Sequence, residues 1–238
     1  MEVLNDIVGK DLKIYQNDEF FKFSLESVLL PNFVTVNLKD KMILDLCSGN
    51  APIPLILSKK TKVKIYGVEL QEEIYQLALK SVKINQKEDQ ITILKEDVKN
   101  LKKIFNGDTF DIITVNPPYF KVNDPKVINQ NTIKATARHE NNLTLDELLV
   151  ISSYLLKNNA SFYMVHRTER FIEILEKLKV YHLEPKCLQF IYPYLGGESK
   201  LFMIKAVKNG HTGMKLLSPL YTHDKDLKYT KEVLEMFK

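Results

Sequence analysis

The chain has 238 residues, of which 45% are hydrophobic and 27% charged, with 8 Gly and 9 Pro. This composition is ordinary for a globular protein and excludes collagen-like, mucin-like and broadly disordered chains. The two cysteines, Cys47 and Cys187, show no C-x-x-C spacing, so we expect reduced thiols and no structural metal site. The net charge of +4, from 34 basic and 30 acidic residues, permits an anionic partner without requiring one.

The hydropathy pattern bears on where the protein works. No stretch approaches the ~18 uncharged residues that cross a bilayer, and residues 1–15 lack the apolar core of a signal peptide. We therefore expect a cytoplasmic protein with no membrane association. A chain of ~240 residues can bury a single α/β core, so we expect one domain over residues 1–238 and no obligate protein partner.

The predicted elements begin with an aromatic segment at residues 20–33, FFKFSLESVLLPNF. It predicts an extended stretch leading into a short helix, with Ser24 as N-cap and Pro31 at its end. From residue 42, short β-rich runs alternate with amphipathic patterns, which is typical of a parallel sheet covered by helices on both faces. The predicted strands are 42–47, 63–69, 91–95, 111–116 and 161–165; the predicted helices are 72–86, 145–156 and 167–178. Two further runs, 187–192 and 201–208, flank PYLGGESK and predict antiparallel closing strands.

Acidic residues end the first two strands of this pattern. Asp45 is followed by a small-residue turn that contains Gly49, and Glu69 comes twenty residues after that glycine. In open α/β sheets, ligands bind beyond the carboxyl ends of the strands, where a carboxylate can accept hydrogen bonds from both ribose hydroxyls. The spacing therefore predicts a nucleoside-containing ligand.

The turn also indicates the ligand's charge. It has one glycine rather than G-x-G-x-x-G, and Asp45 would repel a pyrophosphate. S-adenosylmethionine has a ribose, an amino group and a sulfonium but no phosphate, so it fits better than NAD. The third strand is followed by Glu96-Asp97-Val98, and an acid there can accept a hydrogen bond from the adenine amine. The alternative for each single acid is a helix N-cap or a solvated loop carboxylate.

The fourth strand ends in Asn116-Pro117-Pro118-Tyr119. Two prolines restrict the backbone and hold carbonyl oxygens outward. The Asn116 side-chain oxygen and the Pro117 carbonyl can each accept one hydrogen of a substrate NH2 group, while Tyr119 offers a stacking face. This arrangement orients the nitrogen lone pair for in-line alkylation without a dedicated general base. The alternative is a rigid turn that only ends a buried strand.

Four motifs, DLCSGNAPIPL, GVELQ, KEDV and NPPY, together resemble the class I S-adenosylmethionine-dependent methyltransferases, in particular the amino-methylating branch. The chain departs from that pattern at Ala51, where the family has a second glycine. The resemblance implies a Rossmann-like α/β fold, with a seven-stranded, mostly parallel sheet, an antiparallel closing strand and helices on both faces.

Further segments resemble the bacterial tRNA1(Val) adenine-N6 methyltransferases: FKFSLESVLLPNF, TARHE, YMVHRTERFIEIL and PLYTHDKDLKYTKEVLEMF. This resemblance implies N6 methylation of adenosine 37, beside the anticodon, with the anticodon stem-loop region as partner. It implies that NPPY holds the adenine and that residues 1–41 form a cap over the cofactor pocket. The implied cofactor-binding residues are Phe23, Ser24, Asp45, Cys47, Gly49, Asn50, Glu69, Leu70, Asp97, Val98 and Asn116.

A long segment without periodicity, residues 120–142, follows the NPPY motif. Long loops in compact domains are often functional, and basic residues beside the motif can grip phosphates around an extruded base. The candidate RNA contacts are Lys121, Lys126, Lys134, Arg138 and His139 in this loop, with Arg167 and Arg170 after the fifth strand. The alternatives are a solvated segment, a structural ion pair within Arg138-His139-Glu140, and ordinary surface arginines.

Other substrates share the NPPY chemistry: guanine-N2 or adenine-N6 in rRNA, adenine-N6 in DNA, and glutamine in protein. The chain shows no second core for a DNA-reading domain and no room for the helical amino-terminal domain typical of the protein-glutamine enzymes. From a different class, a non-catalytic RNA-binding module with a relic pocket is also possible. Intact NPPY and both ribose-side acids argue against that reading.

Overall fold

The chain opens with a β-hairpin that lies outside the main sheet. In the computed structural model, which describes residues 1–9, 11–17, 23–117 and 143–238, β1 (Glu2–Val8) pairs antiparallel with β2 (Leu12–Asn17). Asn85 fastens β2 by accepting from the Lys13 backbone N–H (2.9 Å) and donating to the Lys13 carbonyl (2.6 Å). The sequence analysis did not predict this hairpin.

The main sheet carries the site. After the hairpin, the other elements of the described chain follow in this order: α1 (Glu26–Phe33), β3 (Met42–Leu46), α2 (Pro52–Lys60), β4 (Lys64–Glu69), α3 (Glu72–Ile84), β5 (Ile91–Lys95), a 3-10 turn (Val98–Lys103), β6 (Phe110–Val115), α4 (Leu145–Leu155), β7 (Leu156–Arg167), a second 3-10 turn (Thr168–Arg170), α5 (Phe171–Val180), β8 (Leu183–Tyr192), β9 (Leu201–Lys208), β10 (Lys215–Leu216), β11 (Leu220–Tyr221) and α6 (Lys231–Glu235).

Strand order confirms the predicted fold class. Among the described residues the order is β10-β8-β9-β7-β6-β3-β4-β5, and β11 also pairs with β8. The seven longer strands form the predicted sheet, in which β9 runs antiparallel to both β7 and β8 while the β3, β4, β5, β6 and β7 pairings are parallel. The two-residue strands β10 and β11 extend it beyond the prediction.

Helices cover both faces of the sheet, as predicted. On one face α1, α2 and α3 pack against buried residues that include Ile43 and Ile65, and on the other face α4 and α5 pack against residues that include Leu44 and Phe162. A local signal accounts for the start of α4, where Thr144 and Glu147 form a capping box. None of the helices in the described parts of the chain is long and apolar enough to cross a membrane.

Two predictions about α1 were wrong. Ser24 is not the N-cap, because the helix follows Leu25 and Ser24 contributes its backbone carbonyl, which accepts from the Ser27 N–H at 3.0 Å. Pro31 does not end the helix, which continues to Phe33. Pro31 is buried and has no N–H to donate within the helix, but the last turn still closes, with the Val34 N–H donating to the Leu30 carbonyl at 3.2 Å.

Strand β7 and helix α5 also differ from their predicted bounds. The strand starts at Leu156, directly after α4, rather than at Ser161, and Arg167 is its last residue rather than the first residue of a helix. The 3-10 turn separates it from α5, which starts at Phe171.

Candidate functional site

Three strand ends meet at one edge of the sheet. Leu46 of β3 pairs with Val68 of β4 and with Val115 of β6. The residues that follow, Cys47, Glu69 and Asn116, therefore emerge at the same level on adjacent strands. The structure thus brings together one residue from each of three predicted motifs.

The loop after β3, residues 47–51, folds back onto β4. The Ser48 N–H donates to the Val68 carbonyl at 2.9 Å. Gly67 makes this close approach possible, because a Cβ there would lie 3.0 Å from the Ser48 hydroxyl oxygen and 2.8 Å from Ile93 Cδ1. Sequence reasoning missed Gly67, although a glycine inside an apolar strand is a recognised signal of close approach.

The same loop uses left-handed backbone at Cys47, Gly49 and Ala51, with φ of 56°, 57° and 71°. Glycine adopts this conformation freely, whereas alanine pays a steric cost of about 1–2 kcal/mol. Ala51 stands where the resembled family has glycine, and its fully buried methyl group packs in the core beneath α2. The departure from the family pattern therefore preserves the turn and adds a core contact.

Glu69 holds the loop in place. Its Oε2 accepts from the Gly49 N–H at 3.0 Å and its Oε1 from the Gln71 N–H at 2.9 Å. Burial raises the pKa of Glu69, and the backbone N–H donors partly oppose that shift. Since each carboxylate oxygen has two acceptor sites, both oxygens can accept a further donor such as a ribose hydroxyl.

Asp45 lies beneath the loop and is fully buried. Its Oδ1 accepts from the Thr114 hydroxyl at 2.5 Å, while its Oδ2 and the Ser48 hydroxyl have no hydrogen-bond partner within the described residues. Burial raises the pKa of Asp45 to about 8, although the Thr114 hydrogen bond acts in the opposite direction. A buried carboxyl with a spare oxygen fits a positively charged, phosphate-free ligand such as S-adenosylmethionine.

Cys47 is placed beside these carboxylates. Burial, followed by the negative charges of Glu69, Asp45 and Asp97, raises the pKa of its thiol. A thiol held in its protonated form is a poor nucleophile.

The other predicted cofactor residues occupy varied positions. Asp97 caps the first 3-10 turn, with its Oδ1 accepting from the Lys99 N–H at 2.9 Å, which is the structural alternative considered for this acid. Val98 is buried in the core and Leu70 is exposed. Asn50 donates from its side chain to the Tyr15 carbonyl at 2.8 Å, which ties the loop to β2.

The predicted aromatic segment is tied to the same hairpin. Phe23 N–H donates to the Gln16 side-chain oxygen at 3.1 Å, and the Phe23 ring packs against the core. Ser24 follows it just before α1. The hairpin therefore links the loop after β3 to the start of α1, a connection that the sequence pattern did not reveal.

At the end of β6, Asn116 is half-buried and its Nδ2 lies 3.4 Å from the Ser27 hydroxyl oxygen. Pro117 is buried. The rest of the predicted motif and the loop cations lie outside the described residues: Pro118, Tyr119, Lys121, Lys126, Lys134, Arg138 and His139.

The end of β7 carries the two described RNA candidates. Arg170 binds Glu173 through two hydrogen bonds, from Nε at 3.0 Å and from Nη2 at 2.9 Å. His166 is buried, and its Nδ1 accepts from the Arg167 N–H at 2.8 Å. Burial, followed by the positive charge of Arg170, lowers the pKa of His166 to about 3.

Comparison with known proteins identifies the family. A family model described as the methyltransferase small domain matches residues 24–181. The chain belongs to the methyltransferase small domain family. Its fold, its methyltransferase activity and its cofactor, S-adenosylmethionine, are those predicted from the sequence.

Individual relatives agree with that assignment. The chain is 26% identical to the tRNA1(Val) (adenine(37)-N6)-methyltransferase of Bacteroides thetaiotaomicron, over 95% of this chain and 93% of that protein. It is 21% identical to the enzyme of the same name from Cytophaga hutchinsonii, over 85% of this chain and 91% of that protein. Among solved structures, a predicted O-methyltransferase from Agrobacterium tumefaciens has the same fold, with a TM-score of 0.70 at 15% identity over 88% of this chain and 94% of that one.

Proposed function

We propose that this methyltransferase transfers a methyl group to the exocyclic N6 of an adenosine in tRNA, at position 37 of tRNA-Val. The observation that carries the proposal is the placement of Asn116 at the carboxyl end of β6, level with Cys47 and Glu69 on the neighbouring strands. The names of relatives that match most of the chain support the choice of tRNA as substrate.

Several residues are our candidates for holding the cofactor. Glu69 would accept from the ribose hydroxyls, Asp45 would face the amino end, and Asp97 would accept from the adenine amine through the oxygen that does not cap the 3-10 turn. When bound, S-adenosylmethionine supplies an electrophilic methyl group on its sulfonium. The remaining candidates that would line the pocket are Phe23, Ser24, Cys47, Gly49, Asn50, Leu70, Val98 and Asn116.

The substrate side depends on acceptors rather than on a base. The Asn116 side-chain oxygen and the Pro117 carbonyl would each accept one amine hydrogen, which orients the nitrogen lone pair and stabilises the positive charge that develops on it. Pro118 would keep the turn rigid and Tyr119 would stack on the adenine.

The RNA contacts extend along the same edge of the sheet. Arg167 is the last residue of β7, the strand beside β6, and Arg170 lies in the 3-10 turn that follows it. We propose that residues 120–142 form a substrate loop whose Lys121, Lys126, Lys134, Arg138 and His139 contact phosphates, and that residues 1–41 form a cap over the pocket within one domain. The cytoplasmic location stays a prediction.

The test is methyl transfer from radiolabelled S-adenosylmethionine to four acceptors assayed side by side. These are unmodified tRNA-Val transcript, the same transcript with guanosine in place of adenosine 37, duplex DNA, and a translation release factor. We expect N6-methyladenosine in the first transcript alone. Equal labelling of both transcripts would contradict position 37, and label only in DNA or protein would overturn the tRNA assignment. No label in any acceptor, together with absent cofactor binding, would favour the non-catalytic RNA-binding module.

A further inference from the structure

A contact between two distant segments concerns the orientation of Asn116. Ser27 lies in the first turn of α1, is 5% exposed, and its hydroxyl oxygen accepts from Asn116 Nδ2 at 3.4 Å. Neither the sequence motifs nor the family resemblance assigns a role to Ser27. The contact joins α1 to the end of β6.

Helix α1 is a firm support for such a contact. The Tyr163 hydroxyl of β7 accepts from the Thr35 N–H at 3.3 Å, just beyond the end of the helix. Lys60 of α2 donates to the Pro31 carbonyl at 2.7 Å, and Asn32 donates to the Met236 carbonyl at 3.3 Å. Because α1 is fastened to β7, α2 and the carboxyl-terminal segment, Ser27 has a defined position at the site.

The partner of Ser27 distinguishes it from other buried helix serines. Ser58, Ser81 and Ser152 each donate to a carbonyl in the preceding turn, at 2.7 to 2.8 Å. That is the ordinary way in which a helix satisfies a buried hydroxyl. Ser27 instead meets a side chain at the proposed site of methyl transfer.

The chemistry of an amide explains why this contact matters. An asparagine side chain carries an acceptor on one arm and donors on the other, and a substrate NH2 group requires the acceptor. We propose that Ser27 is a positioning residue that engages the amide nitrogen of Asn116 and so turns its oxygen toward the substrate amine. This inference rests on the proposed role of Asn116 as substrate acceptor.

The first test is spectroscopic and needs no turnover. The side-chain ¹⁵N–¹H signals of Asn116 are assigned by their loss in Asn116→Ala. We expect Ser27→Ala to shift them, while Ser152→Ala, the same change at a buried serine of α4, leaves them in place. Ser27→Cys preserves the packing volume but offers only a weak acceptor, so it should shift them in the same direction. Unchanged Asn116 signals in both Ser27 variants would overturn the proposal.

The second test is kinetic. In Ser27→Ala we expect kcat for the tRNA transcript to fall about tenfold while the cofactor Kd changes less than about twofold, because only substrate orientation is lost. Ser152→Ala should change neither. A wild-type enzyme that methylates tRNA, with Ser27→Ala equally active, would refute the positioning role and leave the proposed function standing. A wild-type enzyme inactive on tRNA, with the Asn116 signals shifted in Ser27→Ala, would refute the function and retain the contact.

Discussion

Two regions of the same sheet edge handle charge in opposite ways. At the ends of β3 and β4, the buried carboxyls of Asp45 and Glu69 are held by a hydroxyl and by backbone N–H groups, and burial raises both pKa values. At the end of β7, Arg170 is paired with Glu173 through two hydrogen bonds, and the buried His166 is kept neutral.

The difference indicates what each region is built to do. A desolvated carboxyl held only by neutral donors is stabilised when a cation arrives, so the β3–β4 region is prepared for a sulfonium cofactor. Arg170 is already paired with Glu173, so we expect its phosphate contact to be weak and its main contribution to be to stability.

The largest expected effect concerns Asn116, which sits between the two regions. Asn116→Ala should lower kcat by about 100-fold or more, because it removes an acceptor that acts on developing charge. Its cofactor Kd should stay within about threefold of wild type. Steady-state kinetics and calorimetry measure the two quantities, and Asn158→Ala, an exposed position at the start of β7, is the control. Retained turnover would refute the substrate role.

A second, smaller effect concerns the cofactor region alone. Glu69→Ala should weaken cofactor binding by about 1–3 kcal/mol, the range for lost hydrogen bonds to a charged group. The exposed Glu73, on the first turn of α3, provides the matched control, since Glu73→Ala should leave cofactor Kd unchanged. If calorimetry gives Glu69→Ala and the wild type equal affinity for the cofactor, Glu69 does not bind the ribose hydroxyls.

The raised pKa of Asp45 predicts how the stability of the protein depends on pH. Its folded-state pKa of about 8 exceeds its ordinary value of 3.8, so the folded protein binds the extra proton between those values. The contribution of Asp45 to the free energy of unfolding is complete at pH values below its ordinary pKa of 3.8, and it is lost as the pH rises through about 8.

Asp45→Asn keeps the acceptor for Thr114 and cannot ionise. The wild-type free energy of unfolding should therefore decrease relative to that of the variant as pH rises, by at most about 1.4 kcal/mol per pH unit. Urea unfolding of cofactor-free protein from about pH 5 to 8 measures this difference. A difference that does not vary with pH would show that Asp45 is ionised in the folded state.

The smallest expected effect is on the β7 side. Arg170→Gln should raise the tRNA Kd by less than about threefold and change the salt slope of binding by less than one unit, because its guanidinium is committed to Glu173. The substitution should mainly lower the free energy of unfolding, by about 1 kcal/mol. Filter binding across salt concentrations is the measurement. Loss of a full unit of slope would show that Arg170 makes a full phosphate contact despite its pairing with Glu173, which would contradict the expected weak contact.

The sequence by itself determined the sheet, the position of the loop after β3 and the acid that ends β4. Apolar runs, turn residues and the twenty-residue spacing from Gly49 to Glu69 are local features, so each can be read without knowing which segments meet. The meeting of Cys47, Glu69 and Asn116 followed from the same pattern, because carboxyl ends of parallel strands share an edge.

Only the tertiary structure decided what those residues touch. The docking of β2 on α3, the ion pair of Arg170, the spare oxygen of Asp45 and the room made by Gly67 depend on side-chain packing. Ser27 and Asn116 are 89 residues apart in the chain. No periodicity or motif connects positions so distant, and their contact exists because α1 is fastened to β7 and α2.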